Sequence, residues 1–191
     1  MKAHDPRQRL DALLTAHTAA DTQEAADCER MRAFVAAHAD CFGQANPLGH
    51  ITGSALIAEP GGRLLFLWHR KLERWLQPGG HSEPEEHDPL TTALREAREE
   101  TGLADLVAVE TAPLDVDIHR IPARGAVPAH DHLDVRYLLT TRQPEAIVMS
   151  AESRALRWFE PAALGDLGFD AALQRMVGKA LGWMRAQGWL S

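Results

Sequence analysis

The stretch of residues 79–103 constrains the fold of this chain most, because it prescribes a turn, an acidic loop and a helix in that order. Asp88 is a good helix N-cap, and the following Pro89 suits the first helical position. Gly102 can adopt the left-handed conformation that often ends a helix. The pattern therefore predicts a helix that begins near Pro89 and ends near Thr101.

One side of this predicted helix carries a group of carboxylates. Projected at about 100° per residue, Glu96, Glu99 and Glu100 fall together. Like charges at this spacing destabilise a helix by about 0.2–0.5 kcal/mol per pair, which a bound cation would relieve. Carboxylates suit Mg²⁺ or Mn²⁺, and Arg95 could orient them through bidentate hydrogen bonds. The alternative is a solvated helix face of Glu and Arg, which is common.

This stretch resembles the Nudix box, in which a Gly, a Glu and an Arg-Glu-apolar-any-Glu-Glu-any-Gly-apolar run stand at fixed spacings. The matching residues are Gly80, Glu86, Arg95, Glu96, Glu99, Glu100, Gly102 and Leu103. Eight residues instead of the usual seven separate Glu86 from Arg95, so the loop carries one extra residue, or His87 takes the place of the Glu. Ala97 stands where a larger aliphatic residue is usual. The three helical carboxylates keep the spacing of the family.

The resemblance implies a fold of the α/β class, a Nudix-like α/β/α sandwich with a mixed sheet. We expect residues 1–48 to form an N-terminal helical extension and residues 49–191 to form the Nudix-like hydrolase domain. The extension reads as two helices: the first begins at Asp5, and the second begins at Asp21, which forms a capping-box-like start with Glu24. They could pack on the main domain, serve as a dimerisation arm, or form a wall of the substrate site.

The segments after the extension show the apolar runs and the alternation that are typical of strands. The predicted strands are residues 51–58, 63–69, 106–110, 114–121, 132–140 and 154–160. The cluster Pro60-Gly61-Gly62 predicts a hairpin between the first two. A short helix over residues 161–167 and an amphipathic helix capped by Asp170 close the chain.

The resemblance also implies an activity. Family members hydrolyse a nucleoside diphosphate linked to another moiety, by water attack at phosphorus with a divalent metal bound. The expected metal ligands are Glu96, Glu99, Glu100 and the main-chain carbonyl of Gly79, with Mg²⁺ as the ion and Mn²⁺ as an alternative. The expected catalytic residues are Glu99, Arg95, Glu96 and Glu100. Glu99, or a residue from a distant loop such as Glu152, would take the proton from water.

Two rival functions share this fold. One is a Nudix-like nucleotide-binding or sensor module without turnover. The other is an isoprenoid-diphosphate isomerase, which binds a diphosphate and does not cleave it. The complete set of box glutamates favours hydrolysis over both, but no feature of the sequence identifies the substrate.

Two groups of residues outside the box are candidates for substrate contacts. They are Arg70, Lys71 and Trp75 in one segment, and His130, His132 and Asp134 in another. In the first group the cations could bind phosphate oxygens and the tryptophan could stack on a base; solvated charges and a core tryptophan are the alternatives. The second group alternates along a strand and could supply a base, a substrate contact or an outer metal ligand. A hydrogen-bonded structural group is its alternative.

Charge and hydropathy limit the partners. The formal net charge of −7 argues against a general nucleic-acid binder, which needs a basic face. The sequence contains no run of 18 apolar residues and no segment like a signal peptide, so we expect a cytoplasmic protein that does not bind membranes. The expected partner is a small nucleoside diphosphate derivative. An apolar helical arm also makes a homodimer reasonable.

Overall fold

The computed structural model describes residues 5–151 and 153–190. Its helices are α1 (Pro6–Ala16), α2 (Thr22–Ala37), α3 (Pro89–Thr101) and α4 (Ala171–Ala186). Its strands are β1 (Gly49–Ala58), β2 (Leu64–His69), β3 (Arg74–Leu76), β4 (Gly79–His81), β5 (Val107–Ala108), β6 (Asp115–Ile121), β7 (His130–Thr140) and β8 (Ser153–Phe159). Short 3₁₀ helices cover Pro144–Ala146 and Pro161–Leu167. Among the helices of these described residues, none has the length and apolar character needed to cross a membrane.

The strands form one mixed sheet around a long parallel pair, β1 and β7. β7 pairs along one side of β1. On the other side of β1, the middle of the strand pairs with β4 and its end pairs with β2. The β1–β2 contact is the predicted hairpin. On the other side, β6 and β5 pair with successive parts of β7. β8 and β3 pair with β2, so the sheet is widest at that end.

Helices cover both faces of this sheet. On one face, apolar side chains such as Ile57 and Tyr137 pack with α1, α2 and α3 in one hydrophobic cluster. On the other, neighbouring residues such as Leu56 and Leu138 pack against α4 in a second cluster. Successive residues of a strand point to opposite faces, so the alternating burial follows directly from strand geometry. The layered arrangement confirms the predicted α/β sandwich with a mixed sheet.

Helix α3 has the predicted bounds, because its local signals act as expected. The Asp88 carboxylate accepts a hydrogen bond from the Leu90 N–H at 3.1 Å, and Pro89 begins the helix. Gly102 adopts φ 72°, and its N–H donates to the Arg98 carbonyl at 2.8 Å. The helix therefore begins and ends through contacts that lie within a few residues of each end.

Gly53 allows α3 to lie directly on β1. A Cβ atom at this position would come within 2.9 Å of the Ala93 nitrogen, and closer still to the Pro89 carbonyl oxygen. We expect Gly53→Ala to lower the free energy of unfolding by about 1–3 kcal/mol, because backbone atoms on the helix would have to move. Denaturant unfolding monitored by circular dichroism measures this change.

Gly178 provides the matched control. It lies in α4, and a Cβ atom there would meet nothing within 4 Å. Gly178→Ala should leave the free energy of unfolding unchanged or raise it by up to about 1 kcal/mol, because alanine restricts the unfolded chain. Equal effects of the two substitutions would show that α3 has room to shift.

The N-terminal helices share a core with the sheet. Leu10, Leu14 and Met31 belong to the same hydrophobic cluster as β1 and β7. Glu24 of α2 is fully buried; it accepts hydrogen bonds from the Ala20 N–H at 2.7 Å and from Lys179 of α4. These contacts favour the packing role over a free arm, and the domain boundary at residue 48 stays a prediction.

The structure adds two short strands that the sequence pattern did not predict. Residues 79–81 were predicted as part of a turn, but they form β4 and pair with β1. Gly79 permits this pairing, since a Cβ atom would come within 2.7 Å of the Ser54 Cα. Residues 74–76 form β3 against β2. The strand predicted over residues 106–110 is shorter, with only Val107–Ala108 paired.

Candidate active site

A cleft of about 1010 Å³ brings most of the predicted site residues together. The predicted residues that line it are Gly79, Glu96, Glu99, Glu100, Arg70, Lys71, His132 and Asp134. The box carboxylates and the cations of the β2–β3 connection therefore border the same space. Among the described residues, those that line the cleft include none from α1 or α2, so the extension is not a wall of this cleft.

Arg95 connects the acidic residues of the box. Its NH1 group donates to Glu96 and to Glu99, each at 3.1 Å. Its NH2 group donates to the main-chain carbonyl of His81 at 2.7 Å, which ties α3 to the end of β4. The pKa of Arg95 rises above its ordinary value, mainly through its hydrogen bond to Glu86. The guanidinium thus fixes carboxylates that would otherwise repel one another.

Glu86 keeps its place beside the helix despite the extra residue in the loop. Its two carboxylate oxygens accept hydrogen bonds from Arg95, at 2.9 Å and 3.2 Å. Thr92 also donates to it at 3.2 Å. Burial alone would raise the pKa of Glu86, but the bonds from Arg95 and the loop lower it below its ordinary value. The extra residue lies in the loop between Glu86 and the start of α3, and loops tolerate insertions.

Gly79 and the box glycine Gly80 both lie against carboxylates of α3. The Gly79 N–H donates to the Glu100 carboxylate at 2.9 Å. At Gly80 a Cβ atom would lie 2.5 Å from a carboxylate oxygen of Glu96, so the Glu96 carboxylate would have to move from its present position. Two of the predicted ligands, Glu96 and Glu100, are held against the strand in this way. The metal role of the Gly79 carbonyl stays a prediction.

Asp134 lies in a buried network at the floor of the cleft. It accepts hydrogen bonds from Thr52 at 3.0 Å, from Ser54 at 2.7 Å and from Arg136 at 2.9 Å. Only 3% of the residue is exposed. This is the hydrogen-bonded arrangement that the sequence left open as an alternative, and a substrate contact by Asp134 stays a prediction.

Arg136 was not singled out from the sequence, yet it organises this floor. Besides Asp134, it donates to Asp117 at 2.8 Å and to Asp115 at 3.3 Å. Burial alone would lower the pKa of Arg136, but the three carboxylates raise it above its ordinary value. A charged residue inside the apolar run Val135-Arg136-Tyr137-Leu138, two positions after an aspartate, is the sequence signal that could have indicated a buried ion pair.

Histidines from several strands gather beside this network. His132 lies 3.1 Å from His81 through their Nε2 atoms. His130 forms a hydrogen bond through Nδ1 to the Pro128 carbonyl at 3.0 Å and packs against His50 and His132. Of the two predicted histidines, His132 therefore borders the cleft, whereas His130 lies at the far side of the group.

Trp75 is placed apart from the other candidates. Its ring packs against Trp68 and Phe159, with centroid distances of 5.4 Å and 4.8 Å. The flanking residues Arg74 and Leu76 line the cleft, and strand alternation turns Trp75 to the other face of β3. This packing matches the alternative of a core tryptophan, and stacking of Trp75 on a base stays a prediction.

Comparison with known proteins identifies the family. The model of the NUDIX domain matches residues 50–179, which is more than half of the chain. The chain belongs to the NUDIX family. The Nudix resemblance recognised in the sequence is therefore confirmed, while the predicted domain bounds of 49–191 stay a prediction.

One curated relative is named "Probable DHNTP pyrophosphohydrolase" and comes from Lactococcus lactis subsp. cremoris (strain MG1363). It is 37% identical over 107 residues, which cover 54% of this chain and 61% of the relative. This NUDIX chain thus spans less than two thirds of the relative's length. The relative's name agrees with the enzyme class predicted from the sequence, a hydrolase acting on phosphoric anhydrides.

Two solved structures share the NUDIX fold of this chain. An Ap4A hydrolase binary complex from C. elegans has a TM-score of 0.54 and 18% identity, and the match covers 71% of this chain and 98% of that one. The NUDIX domain of Shewanella oneidensis NrtR complexed with ADP ribose has a TM-score of 0.50 and 16% identity, with coverage of 74% and 92%. At these identities the similarity shows the fold alone.

Proposed function

We propose that this NUDIX protein is a Mg²⁺-dependent pyrophosphohydrolase, with Mn²⁺ as the alternative ion, that cleaves the diphosphate linkage of a nucleoside diphosphate derivative. The observation that carries the proposal is the single cleft that joins the box carboxylates to Arg70 and Lys71. A diphosphate needs cations around its oxygens, and a divalent ion needs carboxylates. The two sets of groups border one space, as cleavage of such a substrate requires.

The donor set fits a hard divalent ion. Glu96, Glu99 and Glu100 would hold it with the carbonyl of Gly79, and oxygen donors of this kind suit Mg²⁺ and Mn²⁺. When bound, such an ion supplies charge neutralisation at the bridging phosphate oxygens and lowers the pKa of a water. Arg95 positions two of the carboxylates through its NH1 group, which keeps the set arranged before substrate arrives.

The protein's own side chains would divide the remaining tasks. Glu99 is 58% exposed, whereas Glu86, Glu96 and Glu100 are partly buried, so Glu99 can reach a water and take its proton. Arg70 and Lys71 would bind phosphate oxygens from the other side of the cleft. Asp134 and His132 form the floor, where they can contact the substrate. Glu152, the other candidate base, lies outside the described residues.

The names of the relatives suggest where to search for the substrate. The curated relative is named for DHNTP, one structural relative for Ap4A, and another is complexed with ADP ribose. All three names denote phosphorylated small molecules, which supports a small-molecule substrate. We propose a nucleoside diphosphate derivative as the class, a cytoplasmic location and no general binding of nucleic acid, in keeping with the net charge of −7.

A release assay tests the proposal directly. The purified protein is incubated with ADP-ribose, Ap4A, DHNTP, nucleoside triphosphates and an isoprenoid diphosphate, each with Mg²⁺, with Mn²⁺ and with a chelator. We expect one nucleotide class to release phosphate or a nucleoside monophosphate only when metal is present. Activity that survives the chelator would contradict the metal role.

The same panel separates the rival functions. Nucleotide binding by calorimetry without any product would support the binding or sensor module. Rearrangement of the isoprenoid diphosphate without phosphate release would support the isomerase. Either result would replace the proposed hydrolase, while the fold and the family would stand.

A further inference from the structure

Three histidines from three strands form a compact triangle at one end of the cleft. His50 of β1 lies opposite His132 of β7 in the parallel register, and β4 brings His81 alongside. The three pairs of ring centroids lie 4.8–4.9 Å apart. One ring nitrogen from each of the three lies within 4.8 Å of the others. None of the three belongs to the glutamate set of the box.

His50 stands out because it is buried without a hydrogen-bond partner. Only 2% of the residue is exposed, and within the part of the chain that the structure describes neither of its ring nitrogens has a partner. Buried polar side chains are nearly always satisfied, so such an exception needs an explanation. A metal ion that binds the lone pair of an imidazole nitrogen would supply the missing contact.

We propose that His50, His81 and His132 bind a transition-metal ion of the Zn²⁺ type, with a fourth position open to the cleft. Imidazole nitrogen suits Zn²⁺, Co²⁺ and Ni²⁺, whereas Mg²⁺ prefers oxygen. In a tetrahedral zinc site with bonds of about 2.0–2.1 Å, ligand atoms lie about 3.3 Å apart. The Nε2 atoms of His81 and His132 are already 3.1 Å apart.

The surroundings keep the three rings ready as ligands. Burial, followed by the nearby His81 and His130, lowers the pKa of His50 to about 4, so its ring is neutral near pH 7, as metal binding requires. The neighbouring His119 and His130 already use Nδ1 on Asp117 and on the Pro128 carbonyl. They border the site, but they are not part of the group of three whose ring nitrogens lie within 4.8 Å of one another.

The open position faces the substrate space. His81 and His132 line the cleft, and His81 lies on the same strand, β4, as the expected metal ligand Gly79. A water, or a phosphate oxygen of a bound ligand, would therefore occupy the fourth position. This second metal site does not depend on the proposed hydrolase activity, because its ligands are imidazoles and not the box carboxylates.

Cobalt provides the probe, because four-coordinate Co²⁺ has strong visible absorption and six-coordinate Co²⁺ has weak absorption. The full chain is treated with a chelator, dialysed and titrated with Co²⁺ and, separately, with Zn²⁺. We expect a visible band that saturates at one equivalent of Co²⁺. Zn²⁺ should raise Tm by about 5 °C once its concentration is about 100-fold above Kd. X-ray absorption of the zinc-loaded protein should show nitrogen ligands of the imidazole type.

Variants locate the site. His81→Gln and His132→Gln should each remove the cobalt band and weaken Zn²⁺ binding at least about tenfold, because a ligand is lost. The control is His87→Gln, on an exposed part of the box loop, which should behave as wild type. A Glu96→Gln, Glu99→Gln double variant should retain the band, which separates this site from the carboxylate site.

Several results would overturn the proposal. They are the absence of a four-coordinate band in wild-type protein, a band that persists in both histidine variants, and a band that disappears in the double glutamate variant. Circular dichroism checks that each variant folds. If one histidine variant does not fold, the other variant and the X-ray absorption of wild-type protein still decide the question.

Discussion

Glu99→Gln and Glu100→Gln are each expected to lower kcat about 100-fold or more while the fold is retained. Each substitution removes one negative charge from the proposed metal site and preserves the shape of the side chain, and losses of this size follow when a charge-stabilising group is removed. Glutamine at position 100 can still accept the Gly79 N–H, whose present bond is 2.9 Å. Glu99 is 58% exposed, so its replacement should cost little stability. The release assay measures kcat, and denaturant unfolding measures stability.

The metal dependence of the two variants should distinguish their roles. Loss of a ligand at Glu100 should raise the Mg²⁺ concentration needed for half-maximal rate, whereas loss of the base at Glu99 should lower kcat at saturating Mg²⁺. Glu85→Gln is the control, because Glu85 is exposed in the loop before α3 and is not among the carboxylates that bond to Arg95, which are Glu86, Glu96 and Glu99. Near-normal kcat in both variants would contradict the assignment of these glutamates to the active site.

The parts of the site that the sequence predicts are those built from local contacts. Asp88 caps the start of α3, Gly102 ends it, and the carboxylates lie on one of its faces. All of these features are local to α3, so spacing along the chain is enough to predict them. The Nudix box also predicts the places of Gly80 and its neighbour Gly79, because Gly80 stands at a fixed distance from the helix. Even here, the pattern predicted a turn where a short strand forms, since pairing with β1 depends on a residue 25 positions earlier, Ser54.

The parts that the sequence does not predict depend on strand register. His50 and His132 are 82 positions apart, and only the parallel pairing of β1 with β7 brings their rings together. Asp117 and Asp134 become neighbours through the antiparallel pairing of β6 with β7. A shift of one residue would turn these side chains to the other face, and no local pattern fixes that register. The histidine triangle and the Arg136 network therefore appear only in the folded chain.

The N-terminal extension also makes contacts that the sequence pattern does not predict. Asp21 was predicted to start α2 together with Glu24, and its carboxylate accepts the Glu24 N–H at 2.7 Å. The Glu24 side chain does not complete a capping box with Asp21; it is buried against Lys179, 155 residues later, and also bonds to His17. Burial alone would raise the pKa of Glu24, but its hydrogen bonds lower the pKa well below its ordinary value. A helix of this kind belongs to the core of the domain, although the family match begins only at residue 50.

Arg136→Met is expected to lower the free energy of unfolding by about 3–5 kcal/mol at pH 7, because it removes one member of a buried ion network. Asp115, Asp117 and Asp134 would keep their buried carboxylates without the guanidinium that they share. Burial alone raises the pKa of Asp117, but the hydrogen bond from His119 and the charge of Arg136 lower it below its ordinary value. A lowered pKa contributes stability above the unfolded pKa, near 4, and that contribution is lost as pH falls. The deficit of the variant should therefore be larger at pH 7 than at pH 4.

Two comparisons make this expectation specific to the buried network. Arg120→Met removes an arginine from an exposed pair with Asp131, and it should cost less than about 1 kcal/mol. Adding Asp134→Asn to Arg136→Met removes the negative charge of a buried carboxylate that has lost its ion pair with Arg136, so the double variant should recover part of the lost stability at pH 7. Denaturant unfolding of the four proteins at both pH values measures these differences. If Arg136→Met unfolded within about 1 kcal/mol of wild type, the remaining partners of the three aspartates, which for Asp115 include Arg175 and Lys179, would be enough to hold them, and the charge of Arg136 would have no structural role there.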